Sequence, residues 1–358
     1  MNEKLDTFLR TAVQSGSSDL HITVGNKPNL RINGVLTPIK TAPLTSVEVQ
    51  EIIMKSLTPE SKEILEKNYE VDYLYVLDTG DRFRVNAYKS QGSYEAVFRV
   101  IKNQVLSLND LNVPERVNDL VAFNNGLVLV AGATSSGKST TLAALIHQIN
   151  QTKKNRIITI ENPVEVLHKN INSIISQREI GMDTKDFPTA LRSALRQDPD
   201  VIVIGEIRDK ETAYIALEAA QTGHLVLSTL HASDASDAVN RFINIFPEGD
   251  RANTKAMFSD SLRGIIAQRL VRDVNDSRVP LIEVLFNSLR IQDAIKGTEP
   301  TPILEIIAAS SAYGMQTFED SIVKLVTSKV ISFETARENA TEESSLIIRL
   351  KKQGVKFS

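Results

Sequence analysis

The chain has no cysteine and no tryptophan in its 358 residues. Disulfides and thiolate metal sites are therefore excluded, and stability must come from packing and assembly. Aromatic residues amount to only 5%, which leaves few platforms for stacking nucleobases. Neither sign of charge dominates: 41 Lys and Arg face 44 Asp and Glu, a formal net charge of −3. With a pI near 6.0, the chain lacks the basic field of a dedicated nucleic-acid binder. No apolar run approaches the ~20 residues needed to span a bilayer. The N-terminal MNEKLDTFLR carries charges where a secretory signal would be apolar, so a cytoplasmic protein without a transmembrane segment is expected. Repeats, low-complexity tracts and coiled-coil heptads are missing as well. What remains is 42% hydrophobic content, enough at this length for a large core and two domains.

The first hundred residues are rich in β signals. A short amphipathic helix (Leu5, Phe8, Leu9, Ala12, Val13) leads into a strand from Leu20 to Val24. In NLRINGVLTPI the pair Asn33-Gly34 stands between alternating arms, a hairpin signal. VDYLYVL, the turn DTGD, RFRVNAY, a turn at Gly92 and YEAVFRVI predict a further meander. The stretch from Lys102 to about Glu115, with Pro114, is polar enough for a linker. From Val117 onward, strands at Leu127 to Ala131, Arg156 to Ile160, Val201 to Ile204 and Leu225 to Thr229 alternate with helical patterns. That alternation implies an α/β fold, a parallel sheet covered by helices. Beyond Asp250 the pattern is mostly helical, apart from one apolar run at Val279 to Phe286. The expected division is a domain over residues 1–101, a linker over 102–116 and a second domain over 117–358.

Between the predicted strand at Leu127 and a predicted helix from Ser139 to Asn150 lies GATSSGKST, Gly132 to Thr140. This is a phosphate-binding P-loop in its proper strand-loop-helix frame. Gly132, Thr134, Ser135, Ser136 and Gly137 can wrap backbone around phosphate oxygens, and the helix N-terminus aims its amides at the anion. Lys138 can reach the β- and γ-phosphates, the Ser139 hydroxyl can hold Mg2+, and Thr140 follows in the same turn. The ligand class is a nucleoside triphosphate, with ATP and Mg2+ expected.

In DPDVIVIGEIRD a buried strand carries Glu206 to its C-terminal end, resembling a Walker B element. A carboxylate there can support magnesium or its water beside the P-loop. Gly205 stands where a second acid is common, so the water-positioning group must come from elsewhere. ENPVE supplies candidates, since the strand RIITI delivers Glu161 and Glu165 to the same edge. In GHLVLSTLHASDA a strand separates His224 from His231, two of only five histidines. These two are candidates for sensing phosphate or fixing the water-bearing loop, and without cysteine or a third ligand they do not make a zinc site.

Taken in order, SSDLHITVGNKPNLRINGVL, GDRFRVNAY, the P-loop region, TIENPVEVLH, SQREIGMDTKDFPTALRSALRQDPDVIVIGEIRD, TGHLVLSTLHASDA and GMQTF resemble the type IV pilus retraction ATPases, the PilT and PilU group of the secretion ATPase superfamily. The resemblance covers almost the whole chain. It implies a PAS-like N-terminal domain, a RecA-like ATPase domain with C-terminal helices, and a homo-oligomeric ring, a hexamer, with ATP between subunits. It implies Glu165 as general base, Glu206 as magnesium support, and His224 and His231 as the His-box histidines. It also implies that N-terminal arginines reach the nucleotide, which nominates Arg82, Arg84 and Arg99. Partners implied are an inner-membrane platform protein and, for accessory members, a second retraction ATPase, with the motor at the inner face of the cytoplasmic membrane.

The chain departs from that pattern in places. Asn162 stands where the acidic box usually has aspartate, and Ser135 replaces a common P-loop glycine. SLRIQDAIKGTEPTPILEII lacks the AIRNLIRE signature of the principal retraction motor, and the C-terminal ETARENATEESSLIIRLKK is more like the accessory PilU type. Two other readings stay open, a RecA-like nucleic-acid translocase or helicase and a weakly hydrolysing regulatory ATP-binding subunit. Assembly motors of the superfamily carry a tetracysteine zinc element, which a chain without cysteine cannot form.

Overall fold

A computed structural model describes residues 3–32, 34–101 and 105–355. The chain divides into two compact units, Met1–Gln104 with Glu165–Leu167, and Val105–Val164 with His168–Ser358.

The first unit begins with helix α1 (Glu3–Gln14), which buries Leu5, Phe8, Leu9 and Ala12 as its periodicity demands. Strands β1 (Asp19–Ile22), β2 (Asn29–Ile32) and β3 (Val35–Pro38) follow. Asn33 of the expected hairpin lies outside the described residues; its arms pair antiparallel, Ile32 with Val35. Helices α2 (Ser46–Ser56) and α3 (Pro59–Asn68) start at Thr45 and Thr58, whose hydroxyls accept from first-turn amides. Strands β4 (Glu70–Val76), β5 (Arg82–Ser90) and β6 (Ser93–Ile101) complete a six-stranded antiparallel sheet in the order β3-β2-β1-β6-β5-β4. One face of β5 and β6, with Phe83, Val85, Ala87, Ala96 and Phe98, packs into the core.

In the second unit, Leu108 and Val113 from the stretch with linker composition are buried against the sheet. Helix α4 (Asn118–Ala122) leads to β7 (Gly126–Ala131), and α5 (Lys138–Thr152) to β8 (Arg156–Glu161). Then come β9 (Ile174–Glu179), α6 (Phe187–Ala194), β10 (Val201–Ile204), α7 (Lys210–Gln221), β11 (Leu225–Leu230), α8 (Ala235–Asn244) and α9 (Arg251–Ser261). Strands β12 (Leu262–Arg272) and β13 (Arg278–Phe286) form a hairpin, and helices α10 (Leu289–Lys296), α11 (Ile303–Ala309), α12 (Phe318–Thr327), α13 (Phe333–Asn339) and α14 (Glu343–Lys352) end the described chain. The sheet has seven strands in the order β13-β12-β7-β11-β10-β8-β9. All neighbours pair parallel except β13, which is antiparallel on β12.

Both faces of this sheet are buried. Leu127, Leu129 and Ala131 of β7 face one apolar layer, while Val128 and Val130 face the other, with Leu145 and Ile149 of α5. That is why these strands read as continuous apolar runs. One sequence expectation is corrected here. Leu262–Arg272, within the stretch expected to be helical, is a strand. Burial on both faces had removed the alternation that would mark it, and its polar residues fall at spacings that also suit a helix.

The hairpin carries a buried carboxyl group. Glu283 on β13 is 1% exposed, and its Oε1 accepts from the Ala235 N–H at 2.8 Å, at the start of α8. Burial pushes its carboxyl up to about 7, with help from the neighbouring Asp234, against hydrogen bonds from the Ala235 and Phe318 amides and the Arg269 charge. An unfolded glutamate titrates near 4.5. Between those values the folded chain keeps a proton that the unfolded chain has released, so stability falls as pH rises through 4.5 to 7, by up to about 3 kcal/mol. Glu283→Gln keeps the acceptor and removes the titration. In denaturant melts it should match the wild type near pH 4.5 and exceed it by up to about 3 kcal/mol at pH 8. A gap that does not change with pH would refute this.

Candidate nucleotide site

The P-loop occupies the turn between β7 and α5, with α5 starting at Lys138 behind Gly137. Gly137 has φ 90° and no side chain caps the helix, which leaves its positive end to an anion. Lys138 is 8% exposed. Its Nζ donates to the carbonyls of Gly132 at 2.9 Å and Ala133 at 2.7 Å, spanning the loop from within. Ser136 is buried, Ser139 half-buried, and Thr134, Ser135 and Thr140 are exposed. A glycine-containing cradle, an uncapped helix start and a lysine folded over the loop together suit a polyphosphate.

Ser135 pays for the missing glycine, since its φ is 63°. Left-handed backbone costs an L-residue about 1–2 kcal/mol, while glycine's greater freedom in the unfolded chain returns about 0.5–1 kcal/mol of that. Ser135→Gly should therefore gain about 0.5–1 kcal/mol in denaturant melts. A loss of stability would mean that the serine side chain contributes something its exposure does not suggest.

Strand order brings the other candidates to the loop. Consecutive strands β7, β11, β10 and β8 end, at the same edge, in the P-loop, His231, Glu206 and Glu161. This is the carboxyl edge where open α/β sheets bind ligands. The Glu206 carboxylate, 15% exposed, is 2.6 Å from Arg208 Nε and 3.7 Å from His231 Nε2. Burial lowers the His231 pKa, and the positive charges of Lys138, Arg208 and Arg241 reinforce this against the pull of Glu206. The imidazole is thus held neutral at neutral pH, able to donate from one nitrogen and accept at the other. Arg208, His231 and Arg241 also line a cavity of about 330 Å³ with Leu230 and Ile245.

Gly205, which stands where a second acid is common, packs closely against β8. A Cβ on Gly205 would lie 3.3 Å from both Glu161 Cα and the Ile160 carbonyl oxygen, so any larger residue crowds β8. Glu161 itself accepts from Thr159 Oγ1 at 2.6 Å and Gln177 Nε2 at 3.1 Å. Glu165 follows in the exposed loop after the cis Asn162–Pro163 peptide and belongs to the segment grouped with the first unit.

His224 is not brought to this edge. It precedes β11, where its carbonyl accepts from Gly126 N–H and its Nδ1 lies 3.0 Å from the Ala219 carbonyl. The length of β11, roughly 20 Å at about 3.3 Å per residue, separates it from the loop. The expectation that it binds nucleotide is therefore corrected for the site within one chain, where it closes the α7–β11 turn.

In the first unit, Arg82, Arg84 and Arg99 gather on the face of the sheet opposite its core. Arg84 and Arg99 stand directly across from each other on β5 and β6, a like-charge pair that destabilises a sheet unless an anion offsets it. Arg99 Nε is bound to Asp19 Oδ1 at 2.8 Å. Burial opposes ionisation of Asp19, but hydrogen bonds from Arg99 and Ser18 outweigh it and hold the carboxyl below its usual range.

Two residues at the phosphate edge escaped the sequence reading. Arg208, on Glu206, stood inside a motif already in view and would have emerged from asking what neutralises that glutamate. Gln268, on β12, donates to the Ser136 carbonyl; it was hidden by the helical reading of its segment.

Residues 1–341 match the family model described as Type II/IV secretion system protein. The type IV pilus retraction ATPase PilT of Pseudomonas aeruginosa is 38% identical over 93% of this chain and 97% of its own length. The type IV pilus ATPase PilU of the same organism is 36% identical over 97% of this chain and 91% of its own. A crystal structure of the pilus retraction motor PilT with bound ADP superposes with a TM-score of 0.88 at 38% identity, covering 96% of this chain and 98% of the other.

Proposed function

The chain belongs to the family of type II/IV secretion system proteins, and on that premise we propose that it is a pilus-retraction ATPase working as a hexameric motor. Its relatives across nearly its full length are a retraction ATPase and a pilus ATPase, and its fold is that of a retraction motor that binds ADP. The observation that carries the reading is the meeting of the phosphate loop, Glu206 and His231 at one sheet edge. Identities of 38% and 36% to PilT and PilU favour neither type strongly.

In the reaction, Lys138 and the loop amides hold the β- and γ-phosphates, and the neutral His231 contacts the γ-phosphate or its water. Magnesium, when bound, would supply positive charge that offsets the phosphate oxygens. Ser139 Oγ and, through water, Glu206 are the groups to hold it, a small ligand set that suits an ion retaining several waters. Glu165 is the proposed base. The Arg82, Arg84 and Arg99 face approaches the nucleotide of a neighbouring subunit, where added positive charge speeds phosphoryl transfer. Hydrolysis and release would then reshape the ring at the inner face of the cytoplasmic membrane, turn a platform protein there, and return pilin subunits from the fibre. A second retraction ATPase is a further expected partner.

The test is magnesium-dependent ATP hydrolysis by the purified chain, with mass by light scattering with and without nucleotide. Hexamers whose turnover disappears in Lys138→Ala support the motor. Hexamers that bind ATP and barely hydrolyse it indicate the regulatory subunit instead, and turnover that requires added single-stranded DNA would replace the motor with the translocase.

A further inference from the structure

Strand β12 does more than widen the sheet. Its register on β7 pairs Ala267 with Ala131, so the next residue, Gln268, stands beside Gly132 at the root of the phosphate loop. Gln268 is 1% exposed, and its Nε2 donates to the Ser136 carbonyl at 2.5 Å. A Cβ on Gly132 would lie 2.7 Å from the Gln268 carbonyl oxygen, and one on Gly137 would lie 2.8 Å from its Nε2. Gln268 thus forms part of the wall against which both loop glycines rest, together with the Ser136 side chain at Gly132 and Leu270 at Gly137. Among the described residues, Gln268 Oε1 and Ser136 Oγ are buried without a hydrogen-bond partner, which is uncommon for buried polar atoms. An apolar side chain of similar length would fill this space without that penalty. The amide is explained by what it holds.

We propose that Gln268 is a positioning residue for nucleotide binding, fixing the Ser136 peptide so that the loop amides stay aimed at the phosphates. The inference rests on the ATPase reading and adds to it a residue outside the phosphate loop, 132 positions further along the chain. Preorganised donors bind without first being ordered. When Gln268 is lost, the nucleotide must order the loop itself, and the cost falls on ATP and ADP alike because both carry the β-phosphate. Loss of an interaction made equally in ground and transition states raises KM and leaves kcat nearly unchanged.

Gln268→Met, similar in length without the donor, should raise the Kd for MgADP and the KM for MgATP about tenfold, with kcat within about threefold of wild type. A merely structural role would instead lower the active fraction, reducing kcat at constant KM, and that pattern overturns the inference. So does a variant with wild-type Kd and KM. Should the methionine variant be insoluble, Gln268→Asn, which keeps the amide but withdraws it from Ser136, is judged by the same criteria. Lys138→Ala is measured alongside. If it keeps full turnover, the ATPase site itself is misplaced; if it is inactive while Gln268→Met behaves as wild type, only the role of Gln268 falls.

Discussion

Replacing Lys138 by alanine is expected to lower magnesium-dependent ATP turnover at least 100-fold while leaving the chain folded. One preorganised donor aimed at developing charge is commonly worth about 10²–10³ in rate, and Lys138 brings a full charge as well as two hydrogen bonds. Its Nζ ties the Gly132 and Ala133 carbonyls together from a position 8% exposed, so the substitution also frees the loop it should be clamping. A second readout follows from the field of that charge. Lys138 is among the groups that depress the His231 pKa, so proton titration by NMR should show His231 moving upward in the variant. Wild-type turnover in Lys138→Ala would remove the site assignment. An immobile His231 titration would separate the lysine from the histidine.

The second large effect is expected at the carboxylates, where two superficially similar substitutions should part company. Glu165→Gln should lower turnover by about 10²–10⁴, the range of a lost general base, while ATP and ADP still bind. Glu206→Gln should also slow turnover, for a different reason. The amide supports a metal-bound water less well, and only one of its two terminal atoms can still accept from Arg208, which now holds the carboxylate at 2.6 Å. Raising magnesium should restore part of the Glu206→Gln rate and none of the Glu165→Gln rate. Rescue of Glu165→Gln by magnesium would exchange the two roles, and wild-type turnover without Glu165 would move the base to another group, with Glu161 next in line.

The parts of this protein most legible in its sequence are those where local chemistry and fold agree. GATSSGKST lies between an apolar strand and a helix, and the structure sets Gly137 and Lys138 at the α5 start. Glu206 and His231 could be located because a buried parallel strand leaves little choice about which end carries its ligand-facing loop. His224 stands at the other end of β11, since a motif that spans a strand has one histidine at each end and only one edge of this sheet bears the phosphate loop. Helical periodicity hid β12, and with it Gln268. What makes that glutamine important is its register against β7, a relation between residues too far apart in the chain for any local pattern to reveal.

That distance bears on how the protein comes into being. On the ribosome the phosphate loop emerges 132 residues before the strand that braces it, a lag of roughly 7–26 s at about 5–20 residues per second. The nascent chain therefore carries an intact motif without its supporting wall. Nucleotide would meet the emerging loop with reduced affinity, and full engagement waits until the β12–β13 hairpin has docked. For the same reason the strands before Leu262 are not a minimal ATPase to which a C-terminal region has been appended: cutting the chain there would spare every residue of the motif and remove what holds it in shape.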